Sequence, residues 1–176
     1  MKQMKQCITI GILFTFLNTF SQNSNPIKIG EQFPEFNLEN INGTQTTLNS
    51  LKGEIVFINL WFTACAPCID EMPALNDLKE EYKDKVKFIA ITFDGNTQIE
   101  KFLSKREFNF EHLSNAGNFL RETLKNKNYP KNIILDREGK ISYMNNGIPY
   151  TKDSKGEMIQ LPYTFFKDPL DKVLAD

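Results

Sequence analysis

Two thiols, Cys65 and Cys68, stand two residues apart in N-L-W-F-T-A-C-A-P-C-I-D-E-M-P, the run from Asn59 to Pro73. A thiolate is the reactive form of cysteine, and a free thiol titrates near 8.5. A helix N-terminus lowers that value, and so does a second sulfur placed three residues on. Here an apolar run ends at Trp61 and a helical pattern follows, so Cys65 falls in the turn between them. Pro67 suits the first helical turn, where a missing N–H costs nothing. This geometry makes Cys65 the exposed nucleophile and Cys68 the shielded thiol that resolves its adduct.

Structural roles for the pair are weaker. A disulfide closing so small a loop constrains the unfolded chain little, by roughly 2 kcal/mol in the chain-entropy picture. A zinc site needs about four ligands. The chain offers no second CxxC and one imidazole, His112, read as a surface or strand-end residue.

The elements that must position the pair follow from periodicity. The run 55–61 is continuously apolar and reads as a strand buried on both faces. After the cysteines, Ile69, Met72, Leu75, Leu78 and Tyr82 recur at helical spacing. A second buried strand spans 85–93, and a helix starts near Thr97. A further helix is expected over 116–125, a strand over 133–135 with its partner over 141–144, and a last helical turn or two over 168–174. Before the first strand, Asn42-Gly43 signals a hairpin. Asp153 to Gly156 can turn another, but the sequence of 145–165 points to no chemistry and at most shapes partner choice. The alternation predicts α/β architecture with a mixed central sheet, helices on both faces and an N-terminal β-hairpin.

The 176 residues suffice for one domain with a core of its own. A formal charge of -1 gives no nucleic-acid footprint. Lys2 and Lys5 precede a nearly all-apolar stretch, 7–20, which is signal-peptide length and short for a membrane span. We therefore expect 1–21 to be a cleaved signal peptide, 22–26 a loose leader and 27–176 the folded domain, exported to the periplasm; the alternative is an N-terminal membrane anchor. Removing 1–21 deletes those two lysines and no acid, which takes the formal charge from -1 to -3. It also removes Cys7 and leaves the CxxC thiols as the only ones.

The residues resemble the thioredoxin superfamily, and within it the exported TlpA/ResA-like thiol–disulfide oxidoreductases. Trp61, Cys65, Pro67, Cys68, Glu71 and Pro73 fit the W-x-x-x-C-x-P-C-x-x-E-x-P block. I-G-E-Q-F-P-E-F-N-L with N-G and L-K-G is similar to the family's N-terminal hairpin, and Y-P-K-N-I-I-L-D-R-E-G-K-I to its proline loop, strand and turn. The likeness is spread over most of 27–145.

The resemblance implies a thioredoxin-like fold with a redox-active Cys65–Cys68 disulfide and a cis peptide bond before Pro130. Glu71 matches the group's glutamate three residues past the second cysteine. There it would have a raised pKa and exchange a proton with Cys68. Thioredoxin proper carries an aspartate six residues before the first cysteine; here that residue is Asn59. Many relatives have Trp directly before the first cysteine, where this chain has Ala64. Tyr129 would supply an aromatic face instead, beside Pro130 in the substrate-binding group. Trp61, placed with that group, would pack under the loop.

The implied activity is protein disulfide reduction without metal or organic cofactor. Its implied partners are exported disulfide proteins, apocytochrome c among them, and a membrane electron donor; a monomer is expected. Two rivals use the same thiols. A peroxiredoxin-like peroxidase needs Thr or Ser three residues before its cysteine, where this chain has Phe62. A copper carrier would use the sulfurs as soft ligands, but relatives of that kind space them more widely and add a histidine.

Overall fold

The computed structural model describes residues 27–176. The signal peptide and leader expected over 1–26 lie outside the described residues.

The central sheet has five strands in the order β5-β4-β3-β6-β7. The middle strand, β3 (Ile55–Leu60), runs parallel to β4 (Val86–Ile91) and antiparallel to β6 (Lys131–Leu135). β4 is flanked by β5 (Glu111–Leu113), parallel, and β6 by β7 (Ile141–Asn145), antiparallel. Helix α1 (Ala66–Tyr82) makes the crossover from β3 to β4, and α2 (Asn96–Leu103) lies between β4 and β5. Two hairpins stand outside the sheet: β1 (Asn37–Glu39) with β2 (Gln45–Thr47), and β8 (Tyr150–Lys152) with β9 (Met158–Gln160). Helix α3 (Lys167–Ala175) closes the chain. Among the described residues no helix is long and apolar enough to cross a membrane.

Side-chain alternation along β3 divides the core in two. Ile55, Phe57 and, on the same face, Asn59 point toward α1 and α3, where Phe57 meets Phe166 at 5.1 Å between ring centroids. Val56, Ile58 and Leu60 point to the opposite face, where Phe33, Phe36, Leu48 and Leu120 cover them. Every residue of β3 is buried, Asn59 included, as a strand covered on both faces requires. Helix α1 presents Cys68, Glu71, Met72, Leu75, Leu78 and Tyr82 to the sheet. Ile69, expected on this face, is only half-buried.

Three expectations change. The helix expected over 116–125 shrinks to a five-residue π-helical turn, Phe119–Thr123. Asn115 and Lys125 on either side take φ of 54° and 51°, left-handed values that end a helical path in both directions. The second face is therefore covered by this turn, a 3₁₀ turn at Asn49–Leu51 and the N-terminal segment, rather than by a long helix. Strand β5 is an addition to the expected elements, and His112, read as a surface or strand-end residue, lies in its middle at 3% exposure. Its Nε2 sits 2.8 Å from the Phe108 carbonyl, and its ring packs on Trp61 and Phe108. Burial pushes its pKa below the usual value, which favours the neutral ring.

Phe57 is fully buried among Phe88, Phe110 and Phe166, so it couples the central strand to the helical layer. Phe57→Ala should lower the unfolding free energy by about 3–5 kcal/mol, read as a drop in the urea midpoint at unchanged m-value.

Candidate active site

The site is built where β3 runs out. Trp61 N–H still donates to the Ile91 carbonyl at 3.2 Å, and the chain then leaves the sheet. Thr63 N–H donates to Asp94 Oδ2 at 2.6 Å, which ties the turn to the end of β4. Cys65 N–H closes the turn on the Phe62 carbonyl at 3.1 Å. Cys65 is the N-cap of α1, and its Sγ accepts the Cys68 N–H at 3.3 Å. The sulfur thus takes up one of the N–H groups that a helix start leaves free. Pro67 lies in the first helical turn, as expected, and Pro73 lies inside the helix.

Cys65 and Cys68 form a disulfide, their Cα atoms 5.2 Å apart. The expected contrast in exposure is slight in this state, 3% for Cys65 and 1% for Cys68. Both sulfurs sit in the apolar cluster beneath the loop, and it is Ala64, Ala66 and Pro67 that reach the surface. The Tyr129–Pro130 bond is cis, as the resemblance implies, and Pro130 is buried. Tyr129 is half-buried and meets Phe62 edge-on at 5.4 Å, while Phe62 stacks on Phe93 at 5.2 Å. With Ala64 in place of a ring, these three residues make the aromatic border near the pair. Trp61 is fully enclosed between Phe102, Phe108 and His112. It supports the loop from beneath and offers no surface to a substrate.

Glu71 lies one helical turn beyond Cys68 on the same buried face and is fully inaccessible. Its carboxyl is held by three residues. Asn59 Nδ2 donates to Oε1 at 2.8 Å, Asn132 Nδ2 reaches both oxygens at 3.3 Å, and Ile148 N–H donates to Oε2 at 3.0 Å. Asn59 and Asn132 are register partners across β3 and β6, and Asn59 Nδ2 also donates to Asn132 Oδ1 at 2.8 Å. Burial raises the Glu71 pKa from 4.5 to about 7, against the opposing pull of these donors. Gly147 makes room for the arrangement. At its φ of 87°, a Cβ would come within 2.8 Å of the Pro130 ring and 3.4 Å of Glu71 Oε2.

Four contributors escape a reading of the sequence: Asn132, Asp94, Gly147 and the Ile148 backbone. Asn59 stands out there only as a departure from aspartate. A signal exists for the two asparagines, since Asn59 interrupts an apolar run and Asn132 directly precedes one, and a buried amide needs partners. Among the described residues no group of three or more His, Cys, Asp or Glu side chains gathers in a way that could hold a metal ion.

The family model described as AhpC/TSA family matches residues 29–144. The thioredoxin-like protein YneN of Bacillus subtilis is 31% identical over 144 residues, covering 80% of this chain and 84% of the relative. The thiol-disulfide oxidoreductase ResA of Bacillus cereus is 31% identical over 137 residues, covering 77% and 78%. Among solved structures, a candidate thiol:disulfide interchange protein DsbE from Chlorobium tepidum superposes with a TM-score of 0.68 at 21% identity, over 84% of this chain and 99% of that one. That likeness bears on the fold, and the closer sequence relatives bear on the family. On these matches the chain belongs to the AhpC/TSA family, among its thioredoxin-like thiol–disulfide oxidoreductases.

Proposed function

We propose that this chain reduces disulfides of exported proteins by dithiol–disulfide exchange at Cys65 and Cys68. The observation that carries the reading is a Cys65–Cys68 disulfide at the start of α1 with a buried carboxyl of raised pKa one turn below it. A nucleophilic sulfur, a resolving sulfur and a proton acceptor on one helix are the parts that exchange requires.

In the reduced protein the Cys65 thiolate attacks one sulfur of the substrate disulfide. A Cys65–substrate bond forms, the substrate S–S bond breaks, and the first substrate thiolate leaves. Cys68 then loses its proton to the Glu71 carboxylate and attacks the Cys65 sulfur. The mixed disulfide breaks, the second substrate thiolate leaves, and the Cys65–Cys68 bond forms. The substrate gains two electrons and two protons in total, and the enzyme pair loses them. A membrane electron donor returns two electrons to the pair for the next cycle. The amide groups of Asn59 and Asn132 and the Ile148 N–H hold the carboxylate in place.

The reading includes a location. Residues 1–21 act as an export signal, 22–26 as a leader and 27–176 as the working domain in the periplasm, with an uncleaved N-terminal anchor as the alternative. Apocytochrome c is among the substrates such a reductant would serve.

Turnover of an insulin-type disulfide with dithiothreitol tests the chemistry. Cys65→Ser should abolish it, and Cys68→Ser should accumulate a mixed disulfide visible as a mass increase of one substrate chain. Undiminished reduction by Cys65→Ser would rule out the assignment. Peroxide consumption without insulin reduction would favour the peroxidase, and tight Cu(I) binding without turnover the copper carrier.

Glu71 makes a pH prediction of definite sign. An acid whose pKa is raised on folding contributes stability while it is protonated in both states, below about 4.5. That contribution is lost as the pH rises toward the folded value of about 7, because only the unfolded chain releases the proton easily. The oxidised protein should lose roughly 3 kcal/mol between those limits relative to Glu71→Gln, measured by urea unfolding at pH 4.5 and pH 8. In the same variant the rate of insulin reduction should fall about a hundredfold and its pH profile should lose the inflection near 7.

A further inference from the structure

The hairpin of β8 and β9 belongs to no part of the site described so far. It pairs only with itself, apart from the central sheet. Its turn is fixed: Asp153 Oδ1 accepts the N–H groups of Lys155 at 2.8 Å and Glu157 at 2.9 Å, and Gly156 takes φ of 83°. Its base is tied to α1, where Tyr150 Oη donates to Asp70 Oδ2 at 3.3 Å. The arm is therefore a preformed element. Yet Tyr150, Met158 and Ile159 supply three of the five large apolar side chains exposed among the described residues. Joining β7 to α3 requires no such exposure.

Register and alternation show which way these side chains point. Tyr150 pairs with Gln160 and Lys152 with Met158, so these four share one face of the hairpin, while Ile159 lies on the other. Tyr150 and Gln160 line a groove of about 350 Å³ whose remaining wall includes Pro67, Pro130 and the 145–149 segment. Pro67 is the residue directly before Cys68, between the two cysteines. The groove thus begins at Pro67, between the two cysteines, passes the cis-proline and ends at Tyr150 and Gln160; Met158, 61% exposed, lies beyond it on the same face of the hairpin.

We infer that the β8–β9 hairpin is a docking arm for the substrate polypeptide. The groove from Pro67 and Pro130 to Tyr150 and Gln160 receives an extended segment next to the target disulfide, and the segment continues along the same hairpin face with an apolar side chain against Met158. The inference rests on the exchange reading above. Continuity identifies the occupant: the groove opens at Pro67, between the two cysteines, and at the cis-proline, so a chain joined to Cys65 through sulfur that passes this edge enters it. The side-chain amides of Asn146 and Gln160 along the groove suit the free backbone polar groups of an extended chain. The selected class is a substrate whose disulfide is flanked by apolar residues in an unfolded or loosely folded segment.

The test compares two disulfide substrates on the full domain: insulin, and oxidised 2-mercaptoethanol, which is too small to span the groove. In Met158→Asp the ratio of kcat/KM for insulin to kcat/KM for the small disulfide should fall about tenfold. Met158→Leu should keep the ratio, and so should Ile29→Asp, which alters an equally exposed apolar residue remote from the groove. Peptide disulfides flanked by Leu should be reduced faster than those flanked by Asp, and Met158→Asp should narrow that difference. An unchanged ratio in Met158→Asp would overturn the docking arm and leave the exchange reading intact. So would a wild-type dimer that this substitution dissociates without altering the ratio, since the face would then bind a second copy. A wild-type protein that reduces neither disulfide would remove the exchange reading itself.

Discussion

A carboxyl group shut away from water is costly, and the centre of this molecule is arranged around one. Glu71 is fully buried on the sheet-facing side of α1, and its two oxygens take donors from three separate parts of the chain. Leaving such a group unpaired would cost several kcal/mol. Its partners are therefore constraints on the fold as much as on chemistry. Asn59 must stand opposite Asn132, which fixes the register of β3 against β6. A slip of one residue in that pairing would turn both amides to the other face of the sheet. The chain after β7 must then bring the Ile148 N–H beneath the helix, and Gly147 lets it pass between Pro130 and the carboxylate.

The same constraint joins the two halves of the site. Cys65 and Cys68 are placed by α1, whose start is set by the end of β3 and by the Asp94–Thr63 hydrogen bond. Pro130 is placed by the start of β6. Glu71 touches both systems, through its own helix and through Asn132 two residues after the cis-proline. The thiol pair and the proline edge are held in fixed relation by a polar contact inside an apolar core. In such surroundings each hydrogen bond is electrostatically stronger than in water, and a missing one is correspondingly dearer.

Much of this is legible in the residues, and the failures share a cause. The two thiols, the helix after them and both hairpins have local signatures, either a spacing or a turn dipeptide, while Glu71 and Pro130 are singled out through the family resemblance. Strand β5 has only three residues, E-H-L, too few to show a period, so His112 reads as a surface or strand-end residue. The segment from 116 to 125 has helical spacing in Ala116, Leu120 and Leu124, but left-handed backbone at Asn115 and Lys125 bounds it, and no propensity announces that. Asn132 and the Ile148 N–H depend on strand pairing and on a returning loop, which are tertiary facts. Cys65 is expected to stand out because a nucleophile needs access. In the oxidised state its sulfur is turned toward Cys68 and the core, and the neighbouring Ala64 and Pro67 form the surface instead.

The pKa of the central carboxyl also bears on which proton movements exchange can use. A resolving thiol near the ordinary value of 8.5 must pass its proton to some acceptor before it can attack. Transfer to a carboxylate at the usual 4.5 would be uphill by about four pKa units, or roughly 5 kcal/mol. At about 7 the gap narrows to about one and a half units, or roughly 2 kcal/mol. An acceptor in that range is also half-ionised at neutral pH, so it can release the proton again once the cycle is complete. In the exchange reading proposed above, the burial that makes Glu71 expensive to fold is also what suits it to accept a proton. The amides of Asn59 and Asn132 work against burial and keep the group from rising so far that it would never ionise. A nonpolar replacement of either would relieve nothing, because it would leave the carboxyl in place with one donor fewer and a pKa driven further from neutrality.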